Sequence, residues 1–243
     1  MVKSSLRFMS ILLLAGALSG CGIIDYFFLP PPEDTAQELF EAGNDAMRAR
    51  NYIAASRYFV KLKDTFPFSP YAVEAELSLA DAYFLDEEWG MALDAYKEFE
   101  AMRPRHPAIP YVLFQIGMAN MKGYPSIDRP ALPIEEAYFY FQRLRDSFPG
   151  TEYAAAATEK MAEARRILAE HELFYAEFFF RMGRYTSALS RYNVILQEFQ
   201  DVPEIYEYAQ VKAKVAFIRD REQRAEAERL QREGSWRDWF RWL

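Results

Sequence analysis

The sequence predicts an all-α chain built as a solenoid of about five helical hairpins, and three observations predict it. A block of residue types recurs every 37 positions, small residues recur at that step, and prolines follow each block at that step. Asn51-Tyr52-Ile53-Ala54-Ala55-Ser56-Arg57-Tyr58-Phe59 aligns with Glu88-Trp89-Gly90-Met91-Ala92-Leu93-Asp94-Ala95-Tyr96, and the register continues from Pro67 to Pro104 and from Pro70 to Pro107. Upstream, Gly43, Ala80 and Gly117 keep the same step, placing a small residue where paired helices must approach closely. Such self-similarity marks a stack of like units, none of which can bury its apolar face alone. With 51% hydrophobic and 16% aromatic residues, the chain is too apolar to stay disordered and must bury a sizeable core.

At the amino terminus, Lys3 and Arg7 precede an apolar run from Phe8 to Leu18, which gives way to Ser19 and Gly20 before Cys21. That order is expected of a secretory signal over residues 1–20; the run falls short of the roughly 20 apolar residues needed to span a bilayer. Leu18-Ser19-Gly20-Cys21 resembles the bacterial lipoprotein cleavage box, so Cys21 is expected to carry the lipid anchor. It is the chain's single cysteine, leaving none for a disulfide. Residues 21–34 are read as a tether. Its Ile23, Ile24, Tyr26, Phe27, Phe28 and Leu29 either rest at the lipid interface or pack back on the first helix, and Pro30-Pro31-Pro32 stiffens the spacer ahead of that helix. Loss of the signal takes Lys+Arg from 29 to 27 against 36 Asp+Glu, a net charge of about −9. An acidic body argues against a nucleic-acid partner, because phosphate binding needs a basic face.

Thr35-x-x-Glu38 has capping-box spacing, so the solenoid is expected over residues 35–233. The third unit repeats the second-helix pattern at Ala137, Phe141, Leu144 and Pro149, after a longer loop from Gly123 to Pro133. The fourth repeats it at Ala188, Tyr192 and Ile195, with Gln200 where proline stood; a helical stretch from Glu152 to Leu168 precedes its first helix, placed near Glu172 to Met182. A degenerate last pair begins near Glu204 and becomes a charged, solvated helix from Arg219 to Glu233. Residues 234–243 form an aromatic tail holding Trp236, Trp239 and Trp242.

Ingredients for catalysis are poor. His106 sits in a proline-flanked turn and His171 between two glutamates, neither with the spacing of a metal-binding helix. Glu87-Glu88 and Glu135-Glu136 lie near helix starts, where carboxylates favour the dipole. No phosphate loop, nucleophile elbow or cysteine nucleophile is present, so the expected function is binding, without catalysis and without a cofactor.

The repeat resembles the tetratricopeptide unit of about 34 residues, a helix-turn-helix with small residues at the crossing and a proline after the second helix. That resemblance implies a groove lined by the first helices. The lining positions are Phe40, Asn44, Met47 and Arg48; Leu77, Asp81, Phe84 and Leu85; and Tyr111, Phe114, Met118, Met121 and Lys122. Methionine and aromatic side chains suit apolar peptides, while Asn44, Arg48 or Lys122 suits a terminal carboxylate. The alternative is that several of these side chains fill contacts between repeats. The carboxylate clamp of chaperone-binding tetratricopeptide domains is not reproduced, since Phe40 stands where its lysine is expected.

The cleavage box, the proline tether, Phe40-x-x-Gly43, Phe66-Pro67-x-Ser69-Pro70-Tyr71-Ala72, Leu79-Ala80-Asp81-Ala82-Tyr83, His106-Pro107, Asp128-Arg129, Phe148-Pro149-Gly150-Thr151-Glu152-Tyr153-Ala154 and Glu172-x-x-x-Ala176-Glu177-Phe178 together resemble the BamD family of outer-membrane assembly lipoproteins. The resemblance covers nearly all of the mature chain; Gln200, the degenerate fifth repeat and the Trp-rich end depart from it. It implies a lipoprotein on the periplasmic face of the outer membrane, in the machinery that inserts β-barrel proteins. Its implied partners are a BamA-like barrel subunit, bound through POTRA domains by the carboxy-terminal repeats, accessory assembly lipoproteins, and unfolded β-barrel precursors held by the amino-terminal repeats. By position, Arg191 matches a family residue facing the POTRA surface, and Gly22 fits the signal for leaving the inner membrane. A lipoprotein pilotin, escorting a pilus or secretion pore subunit, would share the cleavage box and the helical pairs.

Overall fold

The structure, a computed structural model, describes residues 34–234. The signal, the anchor Cys21, nearly all of the tether and the three tail tryptophans lie outside the described residues. Among those described are nine helices: α1 (Ala36–Arg48), α2 (Tyr52–Thr65), α3 (Ala72–Leu85), α4 (Trp89–Met102), α5 (Ile109–Gly123), α6 (Leu132–Ser147), α7 (Glu152–Arg181), α8 (Tyr185–Glu198) and α9 (Pro203–Glu233). Six of their starts are chemically specified. The Thr35 hydroxyl accepts from the Glu38 amide at 3.2 Å while the Glu38 carboxylate accepts from the Thr35 amide at 2.8 Å, the expected capping box. The Asn51 and Thr151 side chains cap α2 and α7 by accepting from the Ala54 and Ala154 amides, and α5, α6 and α9 open with proline in their first turn, where the missing amide costs nothing.

Each helix packs on the next, and α5 also touches α7 as α7 touches α9, which is the stacking of a helical-hairpin solenoid. The repeat extends to the backbone. Arg50, Glu87 and Gly183, each in the turn inside a hairpin, take left-handed φ of 56°, 63° and 71°. After the first and second hairpins the connection is longer than the turn inside them, and the prolines at 67, 70, 104 and 107 fall in these connections.

The crossing residues explain the smallest side chains. A Cβ added to Gly43 would lie 2.5 Å from the Phe59 ring, and one added to Gly117 would collide with Phe141. Phe59, Tyr96, Phe141 and Tyr192 are fully buried, one in each second helix, opposite Gly43, Ala80, Gly117 and Ala176. Three apolar clusters result: one spans α1 to α3, a larger one α3 to α7, and the last α7 to α9.

Three features differ from the sequence expectation. The stretch from Glu152 and the first helix of the fourth unit are one helix, α7, because an alanine-rich run without glycine or proline offers nothing to stop it. The fifth unit is a single helix, α9, rather than a degenerate pair. Within the charged segment after Arg219, Asp220 is buried: it accepts from the Thr186 hydroxyl at 2.5 Å and pairs with Arg224 at 2.9 Å, tying α9 to the start of α8.

Candidate binding surfaces

The proposed groove residues lie on α1, α3 and α5 as the spacing required. Arg48, Leu85 and Lys122 are exposed, with Arg48 paired to Asp45 on its own helix. Phe40 and Met47 lean on the first apolar cluster, and Leu77, Phe84, Tyr111, Phe114, Met118 and Met121 on the central one, each half-buried. Asn44 is half-buried on α1. The aromatics join into one run. Phe84 meets Trp89 at 5.1 Å and Tyr96 at 6.5 Å, Tyr96 meets Tyr111 at 6.4 Å, Tyr111 meets Tyr153 at 5.7 Å, and Tyr153 meets Phe114 at 6.0 Å. Tyr153 is absent from the groove positions expected on sequence. The signal lay in the recurrence of Phe66-Pro67-Phe68-Ser69-Pro70-Tyr71-Ala72 as Phe148-Pro149-Gly150-Thr151-Glu152-Tyr153-Ala154. Tyr71 stacks on Phe40 at 5.3 Å, and Tyr153 covers Phe114 in the corresponding way.

Asp81 stands apart from the other groove positions. One of its carboxylate oxygens accepts from the Tyr96 hydroxyl at 2.5 Å and from the Tyr111 hydroxyl at 2.6 Å, so the residue bolts α3 to α4 and α5. Burial raises its pKa, and the hydrogen bonds from Tyr111 and Tyr96 oppose the rise without cancelling it. A second bolt repeats the design. Glu177 on α7 accepts from Tyr192 of α8 at 2.7 Å and from Tyr208 of α9 at 3.0 Å, with the Lys212 ammonium 3.3 Å away. Burial again pushes upward, but the tyrosine hydrogen bonds and the Lys212 charge outweigh it, leaving Glu177 below the usual carboxylate range.

Arg191, on α8, forms a forked ion pair with Glu172 at 3.0 and 3.1 Å and lies 5.9 Å from the Tyr175 ring centre. Its side chain keeps 43% of its surface accessible. The same part of α7 holds the loop between α5 and α6: the Tyr175 hydroxyl donates to the Asp128 carbonyl at 3.1 Å, and His171 Nε2 lies 3.1 Å from the Arg129 carbonyl. His106 packs edge-on against Phe99 at 5.2 Å. Further on, α9 buries Ile205, Ala209, Ala213 and Ala216 while exposing Val211, Val215 and Ile218 on its opposite side, an apolar stripe at helical spacing. Among the described residues no three or more His, Cys, Asp or Glu side chains are grouped to hold a metal ion, and no helix is long and apolar enough to cross a membrane.

This architecture defines a solenoid of the tetratricopeptide type, in which stacked hairpins present two long faces. The particular family follows from the sequence it is built on: the chain belongs to the YfiO family, described as outer membrane lipoprotein, which matches residues 32–230. Similar proteins include the outer membrane protein assembly factor BamD of Neisseria meningitidis serogroup A, 28% identical over 79% of this chain and 76% of the relative. The protein of that name from Vibrio cholerae is 23% identical over 70% of this chain and 75% of its own. Among solved structures, the P58(IPK) TPR domain matches 82% of this chain and 51% of its own at a TM-score of 0.46 and 18% identity.

Proposed function

We propose that this chain is an assembly factor of the outer membrane, tethered by a lipid on Cys21 at its periplasmic face. It holds unfolded β-barrel precursors on the α1, α3 and α5 surface and docks through α8 and α9 to the POTRA domains of a BamA-like subunit, beside accessory assembly lipoproteins. The observation that carries the reading is the family match, which runs through the whole solenoid and stops near the end of α9. The name shared by the Neisseria and Vibrio relatives supplies the process. Two features of the chain support the division of labour. The half-buried aromatics Phe84, Tyr111, Phe114 and Tyr153 offer apolar contact area to a precursor, while Arg191 on α8 offers a charge and α9 offers exposed valines to a second partner. The test is affinity purification of the tagged protein from its native membrane. Recovery of a β-barrel protein bearing POTRA domains is expected; recovery of a secretin instead would move the assignment to a pilotin.

A further inference from the structure

The repeat leaves one of its own contacts unmade. Just beyond each crossing residue, the first helix of a hairpin meets the second helix of the hairpin before it. Ala82, two residues after Ala80, is fully buried and joins the apolar cluster of α1 to α3. Ala119, two residues after Gly117, is 1% exposed and lines a cleft with Trp89 and Leu93 of α4. Gly123, six residues after Gly117, is as close, since a Cβ there would come within 3.3 Å of the Trp89 Cβ. In the fourth hairpin the crossing residue is Ala176, and the corresponding positions hold Phe178 and Met182, 41% and 55% exposed. The length of α7 is the cause. Its preceding second helix, α6, packs with Ala157 and Met161 in the amino-terminal half, away from the half that pairs with α8. The α5–α6 loop enters the gap as far as His171 and Tyr175, which meet its backbone carbonyls. Beyond them lie Phe174, Phe178 and Met182, four residues apart along one face, and neither phenylalanine is part of the three apolar clusters.

We propose that this open seat on α7 receives an amphipathic helix of another polypeptide, laid antiparallel to α7 in the place a preceding second helix takes in the other hairpins. The register of the repeat selects a helix, because a helix fills the corresponding place beside α3 and α5. Its length follows from the seat: Phe174 to Met182 spans about 12 Å, enough for about two turns. Its inner face carries small side chains, since Phe178 and Met182 already project where Ala119 and Gly123 let α4 come close. Charge sets its start. Arg181 and Arg184, both exposed, stand at the end of α7, beside the first turn of an antiparallel visitor. Asp or Glu in that turn meets these cations and the positive end of the visitor's own dipole. The seat shares no residue with the proposed precursor surface, with Arg191 or with the α9 stripe, so it stands whether or not the assembly role holds.

The experiment places the photo-crosslinking residue benzoylphenylalanine at position 178 of the full-length chain, irradiates native membranes and maps the adduct by mass spectrometry. Position 139 is the control, because Phe139 is 58% exposed on α6, outside the seat. The expected adduct forms from 178 and not from 139. It maps to a segment of another protein with apolar residues at i, i+3 or i+4 and Asp or Glu at its start. A synthetic peptide of that segment should bind the purified protein. Its affinity should fall at least tenfold with Phe178→Ser and Met182→Ser together, and several-fold with Arg181→Glu and Arg184→Glu together. The melting midpoint should hold in both variants, because all four side chains are exposed. An adduct to a second copy, to residues 235–243 of the same chain or to lipid would overturn the proposal, as would no adduct above the control. So would peptide binding that neither double variant weakens. A midpoint that falls together with binding in the first variant would return Phe178 and Met182 to the core and overturn it as well.

Discussion

At the residue scale the fold depends on side chains that are missing as much as on those present. Gly43→Ala forces a methyl group into the Phe59 ring, a buried side chain with no room to retreat. Overpacking of this kind costs about 1–3 kcal/mol, so the melting midpoint should fall, and adding Phe59→Leu should recover part of the loss. The two carboxylate bolts make a sharper test because their pKa values move in opposite directions. Asp81 is raised in the folded state, so its contribution to stability is full in acid and is lost as pH climbs from the unfolded value through the raised folded one. Glu177 is lowered, so its contribution is present above the unfolded pKa and disappears as pH falls through the depressed folded value. Comparing thermal midpoints with wild type between acid and neutral pH, Asp81→Asn should gain relative stability as pH rises, whereas Glu177→Gln should lose it. Difference curves that slope the same way would refute this account. Phe84 and Phe114 belong to the same scale. Both lean on the central cluster, so replacing them together by Ala should lower the melting midpoint as well as precursor-peptide affinity. A binding loss of a hundredfold with an unmoved midpoint would instead make them purely surface anchors.

At the element scale α7 is the unusual part. Its amino-terminal half packs against α6 and carries Tyr153 into the aromatic run, while its carboxy-terminal half pairs with α8 and carries Glu177 to α9. The loop between α5 and α6 is fastened to its middle by Tyr175 and His171. One continuous rod therefore sets the angle between the first three hairpins and the last elements. Arg166→Pro, at an exposed position near the centre of that rod, removes one helical hydrogen bond and clashes with the preceding turn, at a cost of about 3 kcal/mol. Arg166→Ala removes only surface pairings, to Glu170 on the same helix and to Glu204 in the first turn of α9. The proline variant should unfold in two separate transitions by calorimetry, the alanine variant in one; a single sharp transition for both would show that the halves stay coupled without an intact α7.

At the scale of the whole molecule the proposed reading assigns separate surfaces to separate partners, and it places Arg191, braced by Glu172, at the contact with the second. Arg191→Glu should reduce coprecipitation of a POTRA-bearing partner more than tenfold, since a charge-assisted contact at an interface is reversed. It also sets two carboxylates against each other at Glu172, which offers a purely internal explanation. Adding Glu172→Arg rebuilds the internal pair with its polarity swapped but leaves the outward charge changed. Coprecipitation should stay low in the double variant. Full recovery would mean that Arg191 acts only by bracing α8 against α7.

The sequence by itself determined the hairpin period, the helix starts and the crossing residues, because each is a local demand. A capping hydroxyl such as Thr35 acts within one turn, and a small residue at Gly43 or Gly117 has to recur wherever two helices touch. It also carried the family resemblance, since ordered motifs survive without any knowledge of contacts. Tertiary structure decided what depends on residues far apart in the chain. Asp81 reads as a groove acid until Tyr96 and Tyr111 close on it; Arg191 reads as a free charge until Glu172 lies beneath it; Phe178 reads as one more core aromatic until the gap beside α7 leaves it exposed. The continuity of α7 was decided there as well, because helix propensity permits a long rod while only the packing of α6 on one half and α8 on the other gives each half something to bury.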